Sequence, residues 1–452
     1  MCKFTCLPLD GERPHKTSRV PPLYKRKLKT VEDSLNSNSS RKNILVMRQL
    51  SILILGVTIL QICNAFDLNP IVLVPGYTGS RLSAELNKTV SVHPWCVRKA
   101  SDYIIWLNVG ELLPFAINCF VDNMKLRYDN VTRRTYDADG VHITAPGFGD
   151  TKTIEYIDPH QILSQGDYYG EMVKFLISKG YQRNITLRGA PYDFRRAPNE
   201  QDAYFDRLKQ LIEETYVKNL YKKVVLVGHS MGCDMLLQFL SKKVDKAWKD
   251  SRIKAFISLA GPYGGTAGSV MTMISGTNFG SKLIHPKVVR PYSRSQTATT
   301  FFFPSKRAWK SDEVLVTTLE RNYTANDYPQ LFKDLDYETG KEMWLDTKDL
   351  ITDNTVPGVE THCLYGTGTK TTTRIEYGKG FPDTLPSAII FGDGDGTVNR
   401  QSLELCKQWP LYQNEKFFHR TYPGVSHIEL IKDQQIFDYI LDVVREKQPV
   451  HQ

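Results

Sequence analysis

The chain has 452 residues, 41% of them hydrophobic, which is enough apolar material for one large α/β domain with insertions rather than three independent modules. Its formal net charge is +9, but residues 1–48 carry eleven Lys and Arg against four Asp and Glu, so the rest of the chain is only about +2. Because the positive charge is confined to this leader, the composition argues against a nucleic-acid partner.

Residues 1–65 divide into two predicted segments. Residues 1–46 are polar, basic and rich in Ser and Asn, which is typical of a disordered extension. Residues 47–65 have a basic start, an apolar run of about a dozen residues and small residues before a cleavage point after Ala65, which is typical of a secretory signal peptide. On this interpretation Met47 is the working start. A signal anchor with a cytoplasmic tail and a lumenal catalytic domain is the alternative.

Residues 66–90 contain the first predicted strand of the core. The run Ile71–Val74 is a buried-strand pattern that ends in a turn at Gly76. Backbone just after an early strand can approach a nucleophile, so the N–H of Tyr77 is a candidate oxyanion donor. A tight turn enforced by Gly76 is the purely structural alternative.

Five cysteines follow Phe66, an odd number that predicts two disulfides and a free thiol in an oxidising compartment. The outer four allow three connectivities, and the simplest is local pairing of Cys96 with Cys119 and of Cys363 with Cys406. Cys233 is then the buried free thiol. Four Asn-X-Thr sequons also fit a glycosylated surface, at Asn87, Asn130, Asn184 and Asn322.

The segment 91–150 holds an unusually apolar stretch, residues 103–117, between two of these cysteines. One interpretation is packing against the core, which is the usual position of such side chains. The other is a membrane-binding subdomain whose Trp, Leu and Phe side chains enter a lipid surface. We predict the second, with the membrane-binding residues Trp106, Leu107, Leu112, Leu113 and Phe115.

The segment 151–261 contains the most informative motif of the chain, GHSMG at Gly228–Gly232. It follows the apolar run 224–227 and precedes a helix-like stretch, which is the context of a nucleophile elbow. The sharp turn would hold Ser230 in a strained conformation with its hydroxyl presented to substrate. The N–H of Met231, at the start of the helix, is the second candidate oxyanion donor.

Residues 262–380 form a long insertion between this serine and the acid that should follow it. The glycine-rich start, 261–268, and the Ser and Thr clusters after it are typical of a mobile lid over an acyl channel. A phosphate-binding loop is the alternative, but the Gly-Lys-Ser/Thr ending of such loops does not occur here.

A serine nucleophile needs an acid and a base, and in this architecture they follow it in that order. Within 381–452, Ala388–Phe391 is a buried-strand pattern that leads into an acidic loop at the carboxyl end of a strand. Asp395 is the predicted orienting acid, with Asp393 as the fallback. His427, between a turn signal and a helical pattern, is the predicted general base.

The acidic loop has a competing interpretation as a calcium site. Asp393, Asp395 and Glu404 hold positions one, three and twelve of an EF-hand loop, but position six requires glycine and is Val398. We therefore predict no metal.

His229, inside the elbow, is predicted to pack rather than to transfer protons. Six further histidines lack the paired spacing of metal ligands and are predicted to be surface or core residues: His93, His142, His160, His285, His362 and His419.

Six motifs, in this order, resemble those of the lecithin:cholesterol acyltransferase family, and the chain is most similar to its lysosomal phospholipase A2 branch. They are Val74–Gly76, Arg188–Arg196, Gly228–Gly232, Leu364–Gly368, Asp393–Val398 and Ser426–His427. The resemblance implies an α/β-hydrolase core with a membrane-binding subdomain and a lid, together with the two local disulfides. It also implies the site residues named above, a triad of Ser230, Asp395 and His427 with oxyanion donors at Tyr77 and Met231.

The resemblance further implies an activity, which is calcium-independent cleavage of phospholipid acyl esters without a cofactor, the acyl group passing from Ser230 to water or a lipid alcohol. The implied partners are a phospholipid membrane or lipoprotein surface and a lipid alcohol acceptor. The implied location is the lysosomal lumen or the outside of the cell. The lysosomal branch carries an acidic residue where this chain has Tyr77, so an acidic working pH does not follow. The alternatives are a catalytically inactive lipid-binding protein and a small-ester esterase on the same fold.

Overall fold

The computed structural model describes residues 46–47, 68–161 and 166–445. The predicted extension, 1–46, and the predicted signal segment, 47–65, lie outside these residues apart from Val46 and Met47. Within the described ranges, no helix is both long enough and apolar enough to cross a membrane.

Strands and helices alternate through much of the described chain, as expected for an α/β protein. The strands are β1 Ile71–Val74, β2 Leu82–Asn87, β3 Lys99–Trp106, β4 Leu126–Asp129, β5 Arg134–Asp137, β6 Val141–Thr144, β7 Leu187–Gly189, β8 Val224–His229, β9 Ile253–Leu259, β10 Val316–Thr317, β11 Asn322–Tyr323, β12 Thr361–Thr367, β13 Thr371–Glu376, β14 Ala388–Gly392 and β15 Phe417–Pro423. The α-helices are α1 Ile117–Met124, α2 Lys152–Glu155, α3 Gly170–Ser178, α4 Asp202–Lys218, α5 Met231–Gln238, α6 Lys246–Arg252, α7 Ala267–Ser275, α8 Pro286–Ser295, α9 Thr297–Phe301, α10 Tyr328–Asp334, α11 Glu338–Thr347, α12 Arg400–Leu403 and α13 Gln434–Val444. Four 3₁₀-helical segments lie at Val109–Leu112, Pro198–Glu200, Glu404–Leu411 and Glu429–Ile431 within the described ranges, and a π-helical turn lies at Phe239–Lys243.

A six-stranded sheet forms the centre of the fold, in the order β15-β12-β9-β8-β1-β7, and every neighbouring pair is parallel. Strands β1 and β8 are buried along their whole length, as expected where helices cover both faces of a parallel sheet. Apolar side chains of α3, α4, α5 and α13 belong to the same core. The predicted α/β-hydrolase core is confirmed by this arrangement.

The register of the central sheet brings two predicted site segments together. Val74, the last residue of β1, is paired with Gly228, the first residue of the elbow motif. The loop after β1 and the elbow after β8 therefore leave the same edge of the sheet side by side, which is the edge where α/β folds carry their functional groups.

Three smaller sheets flank the core. Strands β3-β2-β6 form one antiparallel sheet and β4-β5 form a hairpin, both within the chain before Ala145. Strands β11-β10-β13-β14 form a third, and a second hydrophobic cluster joins its β10 and β13 to helices α7 and α10. The long insertion after β9 thus has a small core of its own.

The prediction that Ala388–Phe391 is a buried strand of the core is wrong. This segment is β14, an edge strand that pairs antiparallel with β13, and the side chains of Ile390 and Phe391 are exposed. A short apolar run is consistent with a buried strand, but its burial is decided by tertiary packing, which the pattern does not contain. The buried strand whose end lies beside the acid loop, residues 392–398, is instead β12. A backbone bridge between Thr369 and Asp395 brings the chain back to the end of β12.

Candidate active site

Ser230 lies at the turn between β8 and α5, as the elbow prediction requires. Its φ of 53° and ψ of −129° are strained for a residue with a side chain, and its N–H donates to the Leu259 carbonyl oxygen over 2.9 Å. Close packing explains the glycine at position 232, since a Cβ there would lie 2.3 Å from the carbonyl oxygen of Val74. The side chain of Ser230 is half-buried at the head of a helix.

Asp395 is held rigidly beyond the end of β12. It has no exposed surface, and its Oδ1 accepts hydrogen bonds from the N–H groups of Thr397 and Val398, at 3.0 and 2.7 Å. Its Oδ2 lies 2.7 Å from Nδ1 of His427, and its carbonyl oxygen accepts the His427 N–H over 2.8 Å. Both the main chain and the side chain of this aspartate therefore orient the histidine.

The fallback acid, Asp393, has other partners. It is exposed, and its carboxylate accepts hydrogen bonds from the Gly368 N–H over 2.6 Å and from the guanidinium of Arg400 over 2.9 Å. Glu404, the third residue of the calcium interpretation, binds Arg400 and Lys407. Among the described residues, no three His, Cys, Asp or Glu side chains are grouped as a metal site.

His427 lies against the elbow. Its ring centroid is 4.7 Å from that of His229, the residue before Ser230, and its carbonyl oxygen is 2.9 Å from Nε2 of His229. The structure thus joins His427 directly to Asp395 and packs it beside the segment that carries Ser230. A hydrogen bond between Ser230 and His427 stays a prediction.

His229 is chemically different from His427 although the rings are neighbours. Burial, and then the proximity of His427, holds the pKa of His229 well below its ordinary value. A buried neutral imidazole with both nitrogens engaged is unavailable as a base for Ser230. The predicted packing role of His229 agrees with this environment.

The loop after β1 passes close to the nucleophile. A Cβ on Gly76 would lie 2.7 Å from the Ser230 Cβ, so only glycine fits there. The next residue, Tyr77, directs its hydroxyl to Oε1 of Gln296 in the insertion, at 2.7 Å, and burial raises its pKa to about 12. Met231 is the first residue of α5, where N–H groups have no acceptor within the helix. The oxyanion roles of Tyr77 and Met231 stay predictions.

The predicted disulfides are confirmed. Cys96 is bonded to Cys119, and Cys363 to Cys406, with Cα atoms 5.5 and 6.5 Å apart, while Cys233 is buried and free. The second bridge fastens β12 to the helical turn that follows the acid loop.

Two predicted membrane-binding residues are buried, which corrects that part of the prediction. Trp106 is 4% exposed because it packs on Phe120 and Phe194 and donates its indole N–H to the Thr78 carbonyl oxygen over 2.9 Å. Leu107 is 6% exposed within the same core.

The rest of the predicted membrane-binding set has mixed exposure. Leu112 is partly buried against the core, whereas Leu113 and Phe115 are exposed, Phe115 by 65%. The sequence analysis missed Trp95, which is 60% exposed, stacks on His93 and donates its indole N–H to the Phe115 carbonyl oxygen. Its position next to the bridged Cys96 was the available signal.

All four sequon asparagines are exposed, namely Asn87, Asn130, Asn184 and Asn322.

Two further residues of the site carried no signal in the sequence. Tyr168 lies beneath the loop after β1 and accepts the Gly76 N–H, and Gln296 holds the hydroxyl of Tyr77.

The chain resembles known proteins over most of its length. A family profile described as lecithin:cholesterol acyltransferase matches residues 103–434. The chain is 42% identical to lysosomal phospholipase A and acyltransferase of Mus musculus, over 83% of this chain and 90% of that protein, and 42% identical to the Homo sapiens protein of the same name, over 83% and 90%. It is 41% identical to phosphatidylcholine-sterol acyltransferase of Gallus gallus, over 80% of this chain and 87% of that protein. The chain belongs to the lecithin:cholesterol acyltransferase family.

Proposed function

We propose that the protein is a calcium-independent serine phospholipase A and O-acyltransferase. The observation that carries the proposal is the contact between His427 and the buried Asp395 beside the strained Ser230. Relatives named as phospholipase A and acyltransferase, or as phosphatidylcholine-sterol acyltransferase, supply the substrate class.

In the first half-reaction, Nε2 of His427 accepts the proton of the Ser230 hydroxyl as its oxygen attacks the acyl carbonyl carbon. Asp395, which accepts the Nδ1–H of His427, keeps Nε2 free to take that proton and stabilises the imidazolium that forms. The N–H groups of Tyr77 and Met231 receive the developing oxyanion, so the chemistry requires no metal ion.

The first half-reaction ends when His427 gives this proton to the departing lysophospholipid oxygen, which leaves the acyl group on Ser230. The second half-reaction transfers that acyl group. Water or a lipid alcohol then gives its proton to His427 and attacks the acyl carbonyl carbon. Collapse of the oxyanion breaks the bond between the acyl carbon and the Ser230 oxygen, which takes the proton back from His427, and releases a fatty acid or an acylated alcohol.

We assign the membrane contact to the exposed apolar cluster formed by Trp95, Leu113 and Phe115. The indole of Trp95 and the backbone of Phe115 are hydrogen-bonded to each other, and the disulfide at Cys96 fixes the segment that carries them. Exposed Trp and Phe side chains favour the interfacial region of a lipid surface. The occupant is a phospholipid membrane or lipoprotein surface that also contains the acceptor alcohol.

The proposed location is the lysosomal lumen or the extracellular space, reached by the secretory pathway. Two disulfides are typical of oxidising compartments, and four exposed sequons suit glycosylation there. The relatives named as lysosomal favour the first of these destinations.

A small-ester esterase is the second candidate, because Trp106 and Leu107 of the apolar stretch are buried rather than lipid-facing. The rates on monomeric and on aggregated ester of the same acyl chain separate the two. A phospholipase bound through Trp95 and Phe115 accelerates when the substrate aggregates, whereas a small-ester esterase does not.

The direct test of the proposal uses mixed phospholipid and ceramide vesicles with a calcium chelator present. Wild-type protein should release fatty acid and acylated lipid alcohol, detected by mass spectrometry, and should react with a fluorophosphonate probe. The Ser230→Ala variant should bind the vesicles and give neither product nor labelling. Persistent hydrolysis by this variant would refute the serine mechanism, and vesicle binding without wild-type labelling would identify an inactive lipid-binding protein.

A further inference from the structure

A line of buried hydrogen bonds joins the loop after β1 to the loop that carries His427. The Gly76 N–H donates to the hydroxyl oxygen of Tyr168 over 2.8 Å, and that hydroxyl contacts Nδ1 of His229. Nε2 of His229 lies 2.9 Å from the carbonyl oxygen of His427. Tyr168 and His229 are both buried, and neither has a role in the mechanism above.

The chemistry at the two ends fixes the direction of each bond. A carbonyl oxygen only accepts, so Nε2 of His229 carries a hydrogen and donates it to His427. A backbone N–H only donates, so the Tyr168 oxygen accepts from Gly76 and its own proton points to Nδ1 of His229. The arrangement therefore selects one tautomer of His229, the neutral form with its hydrogen on Nε2.

The neutral state of His229 matters because of its neighbour. Burial holds the pKa of His229 well below its ordinary value, so the ring stays uncharged. A second positive ring, with its centroid 4.7 Å from that of His427, would oppose the charge that His427 gains when it takes the Ser230 proton.

The same line of bonds also touches the nucleophile. A Cβ on Gly76 would lie 2.7 Å from the Cβ of Ser230 and 2.8 Å from the Tyr168 hydroxyl oxygen, so the backbone at Gly76 lies against both residues. A Cβ on Gly79 would lie 2.6 Å from the ring of Tyr168, which closes the loop around that ring.

We propose that Tyr168 and His229 are positioning residues. They tie the loop after β1 to the loop that carries His427, and Tyr168 holds His229 in its neutral, Nε2-protonated form. The proposal rests on the proposed serine mechanism. It assigns neither residue a proton-transfer step; both act through the placement of the Tyr77 N–H and of the His427 ring.

The first test compares Tyr168→Phe with Tyr181→Phe. Each variant removes one buried tyrosine hydroxyl, and that of Tyr181 donates to the Asn69 carbonyl oxygen at the opposite end of β1. Tyr168→Phe should slow fluorophosphonate labelling and lower kcat on phospholipid vesicles by about tenfold or more, with KM changed by less than about twofold. Tyr181→Phe should retain both rates even if its unfolding temperature falls as much as that of Tyr168→Phe.

The second test does not depend on a stable Tyr168→Phe variant. The ring ¹³C and ¹⁵N chemical shifts of His229, assigned by their loss in His229→Gln, should report the neutral Nε2–H tautomer throughout the pH range of activity. His229→Gln keeps an amide N–H directed at the His427 carbonyl oxygen, so it should label faster than His229→Leu.

Wild-type labelling and turnover in Tyr168→Phe, or the Nδ1–H tautomer in His229, would overturn the proposal. So would equal losses of activity in the two tyrosine variants at matched stability. Failure of the proposed function is a separate outcome. In that case wild-type protein labels with the probe but yields no lipid product. The labelling rates of the variants would then still support or reject the positioning role.

Discussion

Nδ1 of His427 lies 2.7 Å from Oδ2 of Asp395, a carboxylate with no exposed surface. The other oxygen of this carboxylate is occupied by two backbone N–H groups, so the aspartate cannot rotate to find another partner without losing both bonds. This geometry leaves Nε2 as the ring nitrogen of His427 that Asp395 does not occupy.

The first prediction concerns this pair. Asp395→Asn preserves the shape of the side chain but removes the charge and favours the wrong histidine tautomer, so kcat should fall on the order of 10⁴-fold. Asp393→Asn is the matched control, since its exposed carboxylate binds Arg400 rather than His427 and its replacement should leave kcat within about threefold. Steady-state turnover of both variants checks the assignment, and a larger loss in the control than in Asp395→Asn would reverse the two roles.

A second prediction concerns stability and pH. Asp234 in α5 is fully buried, neither carboxyl oxygen has a partner among the described residues, and burial raises its pKa well above the ordinary value. The titratable groups that face it, Tyr192, Cys233 and Tyr263, are themselves held neutral by burial. The folded protein therefore keeps a proton that the unfolded chain loses near pH 4.

The sign follows from that difference. As pH rises above about 4, the contribution of Asp234 to the free energy of unfolding should fall by about 1.4 kcal/mol per pH unit until the folded carboxyl ionises. Asp234→Asn cannot ionise, so this slope should be absent in the variant. The stability of the variant relative to wild type should therefore be greater at neutral pH than at pH 4.5. Urea unfolding at several pH values measures the free energy of unfolding of each variant, with Asp438→Asn, at an exposed position, as the control. The same pH dependence of this free energy in wild type and in Asp234→Asn would disprove the role of this carboxyl.

A third prediction concerns the exposed apolar cluster. Phe115→Asp should weaken binding to phospholipid vesicles by about tenfold or more, because the buried area of a phenyl ring is replaced by a charge, while the unfolding temperature stays unchanged. Leu220→Asp is the control, since this exposed leucine precedes β8 and lies at the end of the sheet opposite Ser230. Vesicle sedimentation measures both variants, and equal binding losses would show that the effect is not localised at the cluster.

A fourth prediction concerns the second disulfide. Replacing Cys363 and Cys406 together by Ala opens a loop with 43 residues of sequence separation and should lower the free energy of unfolding by about 2–4 kcal/mol. Cys233→Ala, which leaves both bridges intact, is the comparison for unfolding in urea. Because the bridge anchors the segments on either side of the acid loop, the double variant should also label more slowly with fluorophosphonate.

The features of the site that could be predicted from the sequence are those that depend on contiguous residues or on their order along the chain. The elbow at Ser230 is a contiguous motif with its own strand and helix, and the order of the acid and histidine follows from the architecture. The disulfides were predictable because both join cysteines that are neighbours in the sequence order. These statements need no knowledge of long-range packing.

What could not be predicted depends on contacts between distant segments. Trp106 looks like an interfacial residue in the sequence, yet the ring of Phe194 and the carbonyl oxygen of Thr78 bury it. Ala388–Gly392 has the composition of a core strand and lies at an exposed sheet edge. Tyr168 and Gln296 belong to no motif, and only the fold brings them to the loop after β1.

The hairpin of β13 and β14 leaves the end of β12 and comes back to it at Asp395. The spacing in sequence between the strand and the acid is therefore decoupled from their spacing in the fold. A longer or shorter hairpin tip would change the number of residues between β12 and Asp395 without moving the carboxylate, because the backbone bridge to Thr369 holds Asp395 at the end of β12.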